Sequence, residues 1–457
     1  MWDFSLNNFD SVWSIIAQIL LLLGFLVLGN ILRRSIPFLR KSFIPSALIG
    51  GVLLALVGLL IKWISPTDFL IIDKQIMKVV TYHALAIGFI ATTLKVANKE
   101  KQKGLGVLSI QNGLLTGATY MLQAVFGLLT VFVFCWLGSK VFHASGVILP
   151  LAFGQGPGNA MTWDINFNIA NGSFGLALAS IGFIVASVVG VIYLNIYRRK
   201  GEIVRNGGIS ERRVEEFVED HEIEDSDSID KMSVQVGIVA LAYAAAFGIM
   251  CALHATGVKM VRDIAWGFNF IFGVITATLL KALLVFLGKK KVIKHKYINN
   301  YQMDRISGLA FDLMIIAGVA AIEINEIKNY LWILLALTLV GTIVTIVYVR
   351  FITKHCFKGL HHHMFLLNFG TLTGTASNGM ILLREVDSTF ETQASNIFIV
   401  SQFPAMLTVA PLLLLTGFTG KSELNAYIAL GVFLFLAVAY TFVIFLLQKK
   451  VVEKKFK

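Results

Sequence analysis

Gly154, Gln155, Gly156, Gly158 and Asn159 stand with Pro157 in the stretch LPLAFGQGPGNAMTW, residues 149–163, where Thr162 follows them. Glycine lowers helix propensity by about 1 kcal/mol and proline by about 3. A helix should therefore break here, leaving backbone amides and carbonyls that must face protein or a water-filled cavity if the segment lies in hydrocarbon. A second stretch of the same kind, NFGTLTGTASNGM at 368–380, comes about 215 residues later and carries Gly370, Thr373, Gly374, Thr375, Ser377 and Asn378. Both offer the same chemistry. A helix that restarts after such a break presents free N–H groups and roughly half a positive charge, which suits an anion. Carbonyls released around 154–158 and 370–374 suit a hard monovalent cation such as sodium. Glycines also permit close helix packing, but that use needs one small residue per turn, not GxGxG with a proline inside it.

Such a pair of segments needs a membrane around it, and composition supplies one. The 457 residues are 56% hydrophobic and 14% charged, whereas ordinary soluble domains carry about 25% charged residues. The net charge of +12 sits in short clusters between apolar runs, as in cytoplasmic loops of membrane proteins, so nucleic acid is not an expected partner. Cys135, Cys251 and Cys356 are isolated and read as small core residues. The N-terminus MWDFSLNNFD lacks the basic start of a cleavable signal.

Apolar runs long enough to cross about 30 Å of hydrocarbon occur near 12–32, 44–64, 78–97, 108–138, 174–197, 233–255, 263–287, 304–324, 329–353, 394–417 and 426–448. The expected fold is an all-α polytopic membrane protein with about eleven transmembrane helices. Basic clusters at Arg33, Arg34, Arg40, Lys41; Lys95, Lys99, Lys101, Lys103; Arg198, Arg199, Lys200; Lys289 to Lys296; Arg350, Lys354, Lys358; and the tail all fall in the cytoplasm under one arrangement. The N-terminus is then outside, the C-terminus cytoplasmic, and each broken segment dips in and returns to its own side. Residues 1–200 form one repeat of five spans with a re-entrant loop near 143–172. Residues 201–232 form an acidic cytoplasmic linker, 233–420 an inverted second repeat with a re-entrant loop near 360–390, and 421–457 an extra helix and basic tail.

Ionisable residues inside spans are functional candidates by default. Asp312 is expected to coordinate a cation, relay a proton or pair with a basic group. Arg384, beyond the second break, either clamps a carboxylate or marks the cytoplasmic interface; Asp164, Glu385 and Asp387 are rim candidates. Lys281 can snorkel, and Gln111, Asn112 and Gln123 serve a site or bond neighbouring helices. His361, His362 and His363 read as an interfacial basic cluster or a metal site. No HExxH, GxSxG or paired-carboxylate arrangement points to an enzyme, and a channel is a further possibility, since re-entrant loops line pores.

FIPSALIGGVLLALVG, YHALAIGFIATTLKV, GQGPGNAMTW and GTLTGTASNGM, in this order over about residues 12–420, resemble the sodium/glutamate symporter family. The chain departs from that pattern where the family carries a His between the glycines of the first loop and a Gly-His-Cys run opening the second. The resemblance implies two inverted five-helix repeats whose re-entrant loops form the site, sodium as coupling ion with no other cofactor, an anionic amino acid with glutamate first, and a cell-membrane homo-oligomer, with a dimer expected. Another organic anion, such as a di- or hydroxycarboxylate, or proton coupling through Asp312, is the nearest alternative.

Overall fold

The computed structural model describes residues 9–64, 72–95, 105–202, 231–267, 269–290, 298–387 and 392–455, and every regular element among them is helical. The acidic linker expected at 201–232 falls almost wholly outside the described residues, as do Lys99, Lys101, Lys103, Lys291, Lys294 and Lys296.

The first half contains α1 (Phe9–Ser35), α2 (Pro37–Ser42), α3 (Ser46–Ile64), α4 (Lys74–Leu94) and α5 (Gly106–Trp136), an irregular run over 143–155, then α6 (Pro157–Asn166) and α7 (Ser173–Arg199). The second half contains α8 (Lys231–His254), α9 (Lys259–Gly267), α10 (Asn269–Lys289), α11 (Asn300–Ala321), α12 (Leu331–Cys356), α13 (His361–Thr373), α14 (Ala376–Arg384) and α15 (Ala394–Thr419), followed by α16 (Glu423–Lys455). Among the described residues nine helices are long and apolar enough to cross a membrane. The other two expected runs are also helical: α3 is apolar but shorter, and α11 carries Asp304, Arg305 and Asp312.

Lipid is as apolar as the helices, so close packing and hydrogen bonds must hold them together. The most extensive helix pair is α4 against α11. On either side α3 packs on α11 and α10 on α4, with α1 covering α3 and α8 covering α10. A second group gathers on α5, which meets α12, α15 and α16. Glycines permit these approaches: a Cβ on Gly113 of α5 would lie 2.8 Å from the backbone nitrogen of Ala405 in α15. Amides then fix the register. Asn112 Nδ2 donates to Ser401 Oγ at 2.8 Å while its oxygen accepts from Asn368 Nδ2 at 2.8 Å, and Gln123 Nε2 donates to Thr345 Oγ1 at 2.8 Å and to the Leu372 carbonyl at 3.0 Å. Gln111 Nε2 reaches the Ile444 carbonyl at 3.1 Å. The three polar residues of the fourth run are thus ties between helices.

Polar pairings sort the connections onto two opposite ends of the bundle. At the end where α4 begins and α11 finishes, Lys74 Nζ bonds the carbonyls of Ala320 and Ile322, Ser173 Oγ donates to Glu326 at 2.6 Å, and Tyr330 Oη donates to the Ile169 carbonyl at 3.1 Å. At the other end Lys95 pairs with Asp304 at 2.6 Å and Arg198 with Glu385 at 3.1 Å. Lys281, in place of snorkelling freely, donates to the carbonyls of Thr93 at 2.5 Å and Lys95 at 3.2 Å, closing the last turn of α4.

Candidate functional site

The first broken segment is a helical hairpin. A 3-10 stretch His143–Val147, one α-turn Ile148–Pro150 and a π-turn Leu151–Gln155 lead inward; Gly156, at φ +92° and ψ 175°, turns the chain, and Pro157 opens α6. Only glycine adopts that conformation without strain, and proline suits a first helical position because its missing N–H has no role there. The leading and returning ends lie side by side, with the rings of Phe142 and Phe167 5.4 Å apart.

Each tip residue has a distinct neighbour. The Tyr120 ring of α5 crosses so close over Gly154 that no Cβ fits there, and its hydroxyl lies toward Gln155. Cβ positions on Gly158 would lie 3.0 Å from Leu85 Cβ and 3.1 Å from the Thr81 carbonyl, both on α4; one on Gly156 would lie 3.2 Å from Met314 Cε on α11. The first intrahelical bond of α6 runs from Ala160 N to the Gly156 carbonyl at 3.4 Å, so the N–H groups of Gly158 and Asn159 lie ahead of the helical ladder. Asn159, third residue of α6, is fully buried, and neither its amide oxygen nor its nitrogen meets a hydrogen-bond partner. Thr162 points away: its hydroxyl donates to the Gly158 carbonyl at 2.8 Å.

The second segment is a hairpin from the opposite end. Its arms α13 and α14 approach at Gly370 and Gly379, where a Cβ on Gly370 would lie 2.8 Å from Gly379 Cα. His362, on the leading arm, meets Glu202 at 3.4 Å, and Glu385, just past the returning arm, meets Arg198, so both arms start from the end where α7 finishes. Gly374 breaks the helix and packs on α7, 3.0 Å separating its Cβ position from Ala186 Cβ. Thr375 caps α14, accepting from Asn378 N at 3.5 Å, and its hydroxyl donates to Asn378 Oδ1 at 2.8 Å. Thr373 bonds its own helix at the Phe369 carbonyl, 2.7 Å away, and Ser377 is exposed.

The two hairpins meet. α13 packs on the π-turn 151–155, and Gly182 of α7 sits beneath both, its Cβ position 2.6 Å from the Thr373 carbonyl and 3.1 Å from the Phe153 ring. The π-turn that holds Gly154 and Gln155 thus meets the arm that carries Gly370 and Thr373 beside α7, while Gly156 and Gly158 pack on α11 and α4, and Gly374 on α7. Arg384 stands apart: it lies nine residues after the Thr375 cap, about 13 Å along α14, at the exposed foot of the hairpin. Asp312 lies two residues before Met314 and so on a different face of α11, where Arg33 of α1 is its electrostatic partner. Asp164 is a cap in place of a rim group; its carboxylate accepts from Ala170 N at 2.8 Å and Gly175 N at 2.9 Å, tying α6 to the start of α7. Among the described residues no group of three or more His, Cys, Asp or Glu side chains is placed to hold a metal ion.

Tyr120 and Met314 escape a reading of the sequence because only packing brings them to the tip. One signal was legible. Gly158-Asn159-Ala160-Met161 and Ser377-Asn378-Gly379-Met380 share Asn followed by a small residue and Met, and each Asn is the third residue of its returning helix.

Helices of spanning length with two broken hairpins between them define a multi-pass helical membrane protein, and the first hairpin's returning helix starts with a buried, unpartnered amide. No family model matches the chain, and no curated protein matches it.

Proposed function

We propose that the chain is a secondary active transporter that imports an anionic amino acid, glutamate first, together with sodium, by alternating access around the two hairpin tips. The observation that carries this reading is Asn159. A buried amide without partners is destabilising by about 1–3 kcal/mol, and this one sits at the positive end of a helix where an anion is favoured. Its amide nitrogen offers donors to a carboxylate, and its oxygen, with the tip carbonyls, offers ligands to sodium, which is cargo in this scheme. Asn378 occupies the same position on the opposing hairpin.

The fold supports the same reading. The matched pairs α1–α3 and α8–α10, α3–α11 and α10–α4, and α5 facing α12 are what two inverted repeats of five spans would make, with α16 as an eleventh span outside them. Hairpins from opposite ends meeting beside α7 fit a midplane site reached alternately from each side. The N-terminus is assigned outside and the C-terminus to the cytoplasm of the cell membrane, because the basic clusters then fall inside. The resemblance to sodium/glutamate symporters names the substrate and ion, and an oligomer, with a dimer first, belongs to the same proposal.

The test is uptake of labelled glutamate into proteoliposomes under an inward sodium gradient and, separately, an equal potassium gradient. Accumulation with sodium alone is the expected result. Uptake that does not require a coupling gradient would indicate a channel, and no uptake under either would refute the substrate and ion.

A further inference from the structure

At the end of the bundle where α4 begins and α11 finishes, a cavity of about 500 Å³ is lined by Gln18, Asp73, Lys74, Lys78, Asn171 and Glu323. Two of its four charged groups already serve helix ends. Asp73 caps α4, accepting from Gln75 N at 2.8 Å and Ile76 N at 3.1 Å, and Lys74 closes α11 at the carbonyls of Ala320 and Ile322. The other two form a loose ion pair in its wall. Lys78 Nζ and Glu323 Oε1 are 3.9 Å apart, farther than a hydrogen bond, with side chains 5% and 38% exposed. An ammonium with three donors and a carboxylate with two oxygens are thus held close without consuming each other.

The chain segments that line the cavity lead on to residues that flank the first tip. Lys78 precedes Thr81 by three residues, about 4.5 Å along α4, and the Thr81 carbonyl lies against Gly158. On the other wall, Glu323 follows Gly318, whose Cβ position is 3.2 Å from Pro157. Lys78 and Glu323 thus lie nearer this end of the bundle than Thr81 and Gly318, the residues of the same two chain segments that touch the tip.

An α-amino-acid headgroup carries a carboxylate and an ammonium on one carbon and can satisfy both members of such a pair. A dicarboxylate or hydroxycarboxylate can pair with Lys78 alone, and it brings negative charge beside Glu323. Discrimination then comes from repulsion as well as attraction. We propose that Lys78 and Glu323 recognise the zwitterionic headgroup of the substrate in an outer vestibule above the first tip, and so select amino acids over other organic anions before the tip is reached. This rests on the transporter reading above and assigns that cavity to the outer face.

The experiment uses the full chain in proteoliposomes with an inward sodium gradient, labelled glutamate as substrate, and glutarate, the same carbon skeleton without the amino group, as competitor. Glu323→Gln is expected to raise the KM for glutamate about tenfold, the loss of one charge-assisted contact, with little change in maximal rate. The same variant should narrow the preference for glutamate over glutarate, and Glu323→Asp should restore much of it. Lys78→Met should raise the KM for glutamate and the inhibitory constant for glutarate together. Glu323, over a third exposed, tolerates substitution where the buried Lys78 would disturb packing, so the Glu323 variants alone decide the matter if Lys78→Met does not reconstitute. Wild-type KM and wild-type selectivity in Glu323→Gln would overturn this inference and leave the transporter reading standing. Failure of the wild-type protein to take up any carboxylate would remove both.

Discussion

An unpartnered amide in a packed interior works against folding, so its removal separates a binding role from a structural one. Asn159→Ala should leave the melting temperature unchanged or higher, because a buried polar group without partners is destabilising by about 1–3 kcal/mol, while sodium-dependent glutamate affinity falls at least tenfold. A lower melting temperature with unchanged affinity, measured on the purified protein, would count against the assignment. Asp164 is the opposite case. Its carboxylate receives the N–H groups of Ala170 and Gly175, so Asp164→Ala should lower stability by about 2 kcal/mol or more, read as a melting temperature several degrees lower, and Asp164→Asn should recover part of it. The sequence marks Asp164 as a charge near the tip but not which backbone it caps, because that depends on how 167–172 folds back. Asp312 and Arg33 stand far apart in sequence and come within electrostatic reach only when α1 lies along α11.

At the level of elements, the broken helices are the most legible feature of the chain. Glycine and proline spacing at 154–158 fixes a break on local grounds, and Gly156 adopts a positive φ there. The second hairpin depends on close approach instead. Gly379 faces Leu367 O and the Thr371 hydroxyl with no room for a Cβ, so Gly379→Val should splay α13 from α14 and abolish uptake while membrane insertion persists. Uptake near the wild-type level would remove this contact from the account. The break at 154–158 is legible, but that the turn leading into it, 151–155, is wound as a π-turn is not, since glycine and proline spacing marks where a helix ends and not how its last turn is wound. The amides of α5 were legible as polar groups in an apolar run, but their partners on α12, α13, α15 and α16 come from tertiary packing alone.

Across the whole molecule, the proposed orientation rests on charge, and exposed aromatic residues mark an interface. Trp63, Trp136 and Trp332, at helix ends, are 84%, 74% and 77% exposed, the character of an interfacial aromatic belt. They fall on the side that the charge pattern puts outside. A single cysteine at Asn171 should then react with an impermeant thiol reagent added outside intact cells, and one at Lys358 only after permeabilisation, in a background lacking the native cysteines; the reverse pattern would invert the topology. The long apolar runs announce a helical membrane protein, and the basic clusters propose a side for each loop. The pairing of α4 with α11 is not written in either, because helices in lipid share the same apolar surface and only steric fit chooses among neighbours.

The central claim is that Asn159 and Asn378, one from each hairpin, serve one site. Sodium-dependent glutamate affinity of the wild type, Asn159→Ala, Asn378→Ala and the double variant, measured on the purified protein, tests it as a cycle. Residues sharing a ligand couple, whereas independent sites add to within about 0.5 kcal/mol. Each single variant is expected to weaken binding and the double variant to depart from the sum of the two losses. Wild-type affinity in either single variant, or strict additivity, would contradict a shared site.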